Sequence, residues 1–99
     1  MEGTLEVSGR NLSFAGKFTV KDLEALTRAL EKMPSGEATL DFTLCSSMDS
    51  GIAARVWAFY ENRKRAGCRV YLKNTSPELT EIFDRFEEIN KIPPPFRSR

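Results

Sequence analysis

The sequence predicts an α/β fold in one domain, with a mixed β-sheet, a parallel β-α-β core and helices packed mainly on one face. Three observations carry this. Residues 38–44 alternate apolar and polar as a strand does, a helical repeat runs from near Gly51 to Ala66-Gly67, and residues 68–73 alternate again. A strand, a crossover helix and a second strand wind right-handed with the strands parallel, so the polar stretch 45–50 is expected at the carboxyl edge of the sheet. Open α/β sheets carry their working loops at that edge. The two strands also alternate rather than running continuously apolar: Leu40, Phe42 and Leu44 on one side with Asp41 and Thr43 on the other, then Cys68, Val70 and Leu72 against Arg69, Tyr71 and Lys73. Strands covered on both faces do not read that way, so one face of the sheet is expected to be partly wet.

The elements follow in order. Leu5 and Val7 alternate with Thr4, Glu6 and Ser8, a turn falls at Ser8-Gly9-Arg10-Asn11, and Leu12 and Phe14 resume the alternation, which predicts a β-hairpin. Ala15-Gly16-Lys17 reads as the exit toward a helix. Thr19 is its N-cap, Asp22 stands at the third helical position, and Phe18 and Leu23 are placed for a hydrophobic staple. Leu23, Leu26, Leu30 and Met33 make the apolar stripe, and Pro34-Ser35-Gly36 ends the helix.

The long central helix carries Ile52, Val56, Phe59 and Tyr60 on one face, broadened by Ala53, Ala54 and Trp57. Trp57 either shields a small core or meets a partner, since tryptophan is enriched at binding hot spots. Arg63-Lys64-Arg65 falls on the last turn, where positive charge complements the helix dipole. The final helix starts at Asn74-Thr75-Ser76-Pro77-Glu78, with Thr75 or Ser76 as cap, and Leu79, Ile82, Phe83 and Phe86 as its stripe. Ile89 and Ile92 extend it before Pro93-Pro94-Pro95 stops regular structure. Residues 1–92 are therefore expected to form the domain, and 93–99 a proline-containing C-terminal extension.

Composition excludes several classes of function. Ninety-nine residues, 40% hydrophobic and 29% charged, suit one soluble globular domain. The longest apolar-leaning run, residues 52–60, contains Arg55 and falls short of the roughly 20 residues that span a bilayer. No signal peptide pattern opens the chain, so a cytoplasmic protein, not membrane-embedded, is expected. Fifteen basic and fourteen acidic residues give a net charge of +1, which offers nucleic acid no general attraction. Histidine is absent, which removes the commonest general base and metal ligand. Cys45 and Cys68 would lie at opposite edges of the sheet, on the order of 15 Å apart at about 3.3 Å per residue, so two free thiols are expected. The six glycines are isolated and form no phosphate cradle. No metal and no cofactor are expected.

The stretch 46–51 remains as the candidate site. Asp49 and Ser50 precede a helix and suit capping. A hydroxyl there is also exposed, rigidly held and close to a positive helix end that tolerates phosphate. Adding nearly two negative charges would alter what docks there.

At these residues the chain resembles the STAS domain family, which takes in bacterial anti-sigma factor antagonists and the regulatory domains of sulfate transporters. The resemblance rests on the order of elements, on Met48-Asp49-Ser50-Gly51-Ile52, on the helix ending Arg65-Ala66-Gly67, and on Val70-Tyr71-Leu72-Lys73-Asn74-Thr75-Ser76-Pro77. It implies no catalysis. It implies instead an antagonist that binds an anti-sigma factor, often a serine kinase with a GHKL-type ATPase fold, until phosphorylation of the second serine in Asp-Ser-Ser-Gly breaks the complex. The partner surface carried over is Ser46, Ser47, Met48, Asp49, Ser50, Gly51, Ile52, Ala54 and Arg55, with Ser50 as candidate phosphoacceptor. This chain has one serine where the pattern has two. Ungapped matching puts Gly51 at the acceptor position and removes the switch; matching Ser50-Gly51-Ile52 to acceptor, glycine and aliphatic residue keeps it. A stand-alone subunit that buttresses a transporter or ABC-type assembly, without a phosphorylation cycle, is the other reading. The chain is expected to be a monomer or weak dimer.

Overall fold

The computed structural model describes residues 3–91, with side chains through Glu88. Four strands form one sheet in the order β1-β2-β3-β4: β1 is Thr4–Ser8, β2 Asn11–Phe18, β3 Ala38–Met48 and β4 Val70–Lys73. β1 pairs antiparallel with β2, while β2, β3 and β4 run parallel, which makes the sheet mixed. The helices are α1 (Leu23–Lys32), α2 (Ser50–Arg65) and α3 (Pro77–Lys91).

Local sequence explains the boundaries. Gly9 turns the hairpin with φ of 59°, a conformation glycine adopts without penalty. Thr19 and Asp22 form the expected capping box: the Asp22 carboxylate accepts from Thr19 N at 2.9 Å, and the Thr19 hydroxyl accepts from Lys21 N at 3.4 Å. The first turn they cap is 3-10, Val20–Asp22, ahead of α1. Leu23 is 36% exposed, so the buried stripe of α1 is Leu26, Ala29 and Leu30, with Met33 just beyond. Gly67, with φ of 82°, ends α2 in a Schellman arrangement: Cys68 N donates to Arg63 O at 2.8 Å and Gly67 N to Lys64 O at 3.0 Å. Ser76 is the cap of α3, accepting from Leu79 N at 3.1 Å.

One face of the sheet carries the core. Leu12, Phe14, Leu40 and Phe42 of the strands pack with Leu26, Ile52, Val56 and Phe83 of the helices. Each such side chain contributes about 1.5–3 kcal/mol by leaving water. An aromatic series links the layers: Phe14 stacks on Phe42 with centroids 4.6 Å apart, Phe42 meets Phe83 at 6.3 Å, and Phe83 meets Trp57 at 5.7 Å. The opposite face presents Thr4, Glu6, Tyr71 and Lys73 to water. Cys45 and Cys68 are both free.

The structure corrects the sequence reading of the third strand. β3 continues to Met48, so residues 45–48 are strand and not loop. Its partner β2 likewise continues through Gly16 and Lys17 to Phe18, where an exit was expected. The register slips between Ser13 and Ala15 and again between Gly16 and Lys17, each time with the extra residue on β3. A bulge of this kind reverses the alternation that follows it. Leu44, expected inside, is therefore 72% exposed. Asp41 stabilises the bulge, its Oδ1 accepting from Thr43 N at 2.9 Å and from the Thr43 hydroxyl. That hydroxyl accepts from Asn74 Nδ2 at 2.7 Å. Asn74 has φ of 57°, a left-handed conformation asparagine tolerates better than most residues. The expected Ile89 contact, Ile92 and the extension 93–99 lie outside the described side chains.

Candidate functional site

The candidate site lies where β3 passes into α2. The β2–β3 ladder runs up to the helix: Phe18 pairs with Met48, and Asp49 N donates to Phe18 O at 3.0 Å. Asp49 is the one residue between strand and helix. Ala53 N then donates to Asp49 O at 2.9 Å, which starts the helical bonding. Ser50, the first residue of α2, is thus held between a paired strand and a 16-residue helix. Rigid placement follows from the ladder, not from a structured loop.

The carried-over residues separate by exposure. Ser46, Ser47, Asp49, Ser50, Gly51 and Ala54 are exposed, and Met48 and Arg55 half-buried. Ile52 is wholly buried. Its side chain belongs to the core, which corrects its place on a contact surface. Asp49 takes the N-cap backbone position, with φ of −65° and ψ of 154°, but its carboxylate makes no bond to the first-turn amides. Side-chain capping by Asp49, expected from its type and place, is not what the structure holds: the ladder bond to Phe18 fixes Asp49 in an extended conformation and its carboxylate remains in water. The first turn of α2 contains no acidic residue, so the positive end of its dipole faces solvent beside Ser50.

Sequence reasoning missed the contribution of α3. A cleft of about 70 Å³ lies between the end of β3 and the start of α3, lined by Phe42, Cys45, Ser46, Ser47, Met48, Ser76, Glu78, Leu79 and Ile82. Ser50 and Gly51 are outside it. The Cys45 thiol, half-buried there, is pushed above its usual pKa by desolvation, with the carbonyl of Ser47 as its hydrogen-bond acceptor at 3.6 Å. Parallel pairing of β3 with β4 was the available signal, because it brings the start of α3 to the same sheet edge.

Trp57 packs against Tyr60 at 5.1 Å, Phe83 at 5.7 Å and Phe86 at 6.1 Å. Those contacts place it in the α2–α3 seam. Arg63 reaches the carbonyls of Pro34 and Gly36 and lies 4.5 Å over the Phe59 ring. Among the described residues no group of three histidine, cysteine or carboxylate side chains is placed to hold a metal, and no helix is long and apolar enough to cross a membrane.

Three comparisons bear on this geometry. A family model described as "Mlab, STAS domain" matches residues 4–87. A solved structure of the anti-sigma factor antagonist SpoIIAA in its unphosphorylated form superposes with a TM-score of 0.63 at 16% identity, covering 91% of this chain and 99% of that one. At that identity the likeness is one of fold. No curated protein matches the sequence.

Proposed function

The chain belongs to the STAS domain family, and from that premise we propose that it is a non-catalytic regulatory domain that binds an anti-sigma factor or serine kinase, as an anti-sigma factor antagonist does. The contact surface is the end of β3 and the first two turns of α2: Ser46, Ser47, Met48, Asp49, Ser50, Gly51, Ala54 and Arg55. One observation carries the reading. Ser50 is exposed at the first position of α2, fixed on the ladder side by the Asp49–Phe18 bond and with no acidic residue in the first turn. A phosphate there would meet a positive helix end and add nearly two charges to the contact surface. That combination suits a switch in which phosphorylation of Ser50 ends partner binding.

A second reading rests on Gly51. If Gly51 occupies the place of the family's second serine, the chain is a stand-alone subunit that buttresses a transporter or ABC-type assembly with no phosphorylation cycle. Capture from the source cells with the wild type and Ser50→Ala, with phosphate on Ser50 read by mass spectrometry, separates the two. A captured serine kinase with phosphate on Ser50 supports the switch. Captured transporter subunits with Ser50 unmodified overturn it in favour of the scaffold.

A further inference from the structure

The open face of the sheet holds a trough of about 580 Å³ that the STAS reading does not use. Strand register lays out its surface in rows. Thr4, Ala15 and Leu44 form one row across β1, β2 and β3, and Glu6, Ser13 and Asp41 form the next. The short side chains of Ser13 and Ala15 make a low floor. Leu44, turned outward by the bulge and 72% exposed, is an apolar wall. Glu6 and Asp41 flank the floor from strands two apart, about 10 Å at the usual strand spacing. The ion pairs among the described residues are Glu24–Arg28 and Glu81–Arg85, so both carboxylates remain outside any salt bridge, although Lys73 neighbours Asp41 from β4.

We infer that this trough binds the arginine-bearing segment 93–99 of a second copy of the chain. The segment reads Pro93-Pro94-Pro95-Phe96-Arg97-Ser98-Arg99 and has no acidic side chain. In an extended chain Arg97 and Arg99 project to the same side about 7 Å apart, and long guanidinium side chains close the remaining distance to Glu6 and Asp41. The same alternation turns Phe96 and Ser98 to the other side, so the apolar stems of Arg97 and Arg99 lie along Leu44. Three prolines already restrict the backbone, so less freedom is lost on docking. A second copy is the better-placed source because α3, which leads into the segment, buries Leu79 and Phe83 on the core face, opposite the trough. A net charge of +1 leaves little repulsion between copies.

Sedimentation of the full chain across concentration, together with isotope-filtered NOE spectra of a mixture of labelled and unlabelled chains, tests this. The expected result is a weak dimer with intermolecular NOEs from the Arg97 and Arg99 side chains to the Leu44 methyls. Glu6→Lys, or Arg97→Glu with Arg99→Glu, weakens the dimer about tenfold, and combining the swaps recovers most of that loss. Rising salt weakens it as well. The inference is overturned by a chain that stays monomeric to about 1 mM, by NOEs from Arg97 or Arg99 to Leu44 within a single copy, or by a dimer insensitive to the charge swap. All of these variants lie at exposed positions or in the terminal segment, so a fold preserved by circular dichroism keeps each outcome interpretable.

Discussion

Arg10 and Arg63 divide four successive carbonyls of one loop between them: Arg10 Nη1 donates to Ser35 O at 2.8 Å and Glu37 O at 3.1 Å, and Arg63 Nη1 to Pro34 O at 2.8 Å and Gly36 O at 2.7 Å. The loop joins α1 to β3, so these bonds set where the site-bearing strand begins. Gly36 has φ of 100°, and a Cβ there would lie 3.2 Å from Arg10 Nη1. Charged donors to buried or half-buried carbonyls contribute more than neutral ones. Arg63 is half-buried and also lies over Phe59, whereas Arg10 is exposed. Arg63→Ala is expected to destabilise by about 2 kcal/mol and Arg10→Ala by about 1. Urea titration of both single variants and the double variant checks this, and the double is expected to depart from additivity because the two share one loop.

Asp41 makes stability depend on acid. Its carboxyl is held below the ordinary value of 3.8 first by the Thr43 hydroxyl and then by the Thr43 amide, with Lys73 adding a smaller contribution. A carboxyl depressed in the folded state stabilises the fold fully above its unfolded pKa, and that stabilisation is lost as pH falls from there through the folded value. The bulge of β3 is therefore expected to loosen in acid. Asp41→Asn keeps an acceptor for Thr43 but does not titrate. Unfolding followed between pH 6 and 2 should show a shallower acid limb in the variant than in the wild type; identical limbs would assign the acid sensitivity elsewhere.

Much of the fold was legible because its signals are local. Thr19 with Asp22, Ser76 with Pro77, and Gly67 each announce a helix boundary within four residues, and the structure places a boundary at each. Bulges are different. The slip at Ala15–Leu44 is a relationship between two strands, and nothing in the alternation of residues 38–44 records it. Cys45-Ser46-Ser47 looked like a loop because small polar residues favour turns, yet pairing to Gly16, Lys17 and Phe18 extends the strand through them. The candidate surface was carried over from the resemblance, and Ile52 came with it, although helical spacing groups Ile52 with Val56 and Phe59 and that face is the buried one. The cleft with α3 follows from the parallel pairing of β3 with β4, which brings the start of α3 to the edge where β3 ends, a step beyond the β-α-β unit itself.

Gly51 separates the two readings of the site by a substitution the backbone accepts. A Cβ at Gly51 meets nothing within 4 Å, and its φ is not left-handed. Gly51→Ser is expected to raise stability by up to about 0.5 kcal/mol through helix propensity. It also restores two consecutive serines after Asp49. If the ungapped match is correct, the variant gains a phosphate at position 51 in source-cell lysate while the wild type carries none at Ser50. Phosphate on wild-type Ser50, with position 51 left unmodified in the variant, supports the shifted match.

Trp57 carries a donor with no acceptor among the described residues. Its Nε1 is buried with no hydrogen-bond partner among the described residues, while its rings contact Tyr60, Phe83 and Phe86 across the α2–α3 seam. A buried unpaired donor opposes folding by about 1–3 kcal/mol, and the ring contacts more than offset it. Removing the donor and removing the ring should therefore have opposite character. Trp57→Phe retains an aromatic surface against Phe83 and deletes the nitrogen, so the expected change is under about 1 kcal/mol in either direction. Trp57→Ala opens a cavity beside Phe83 and is expected to destabilise by about 3–5 kcal/mol. Guanidinium unfolding followed by far-UV circular dichroism, which does not depend on the tryptophan, measures both. A loss in Trp57→Phe as large as in Trp57→Ala would show that Nε1 has an acceptor and that the seam depends on it.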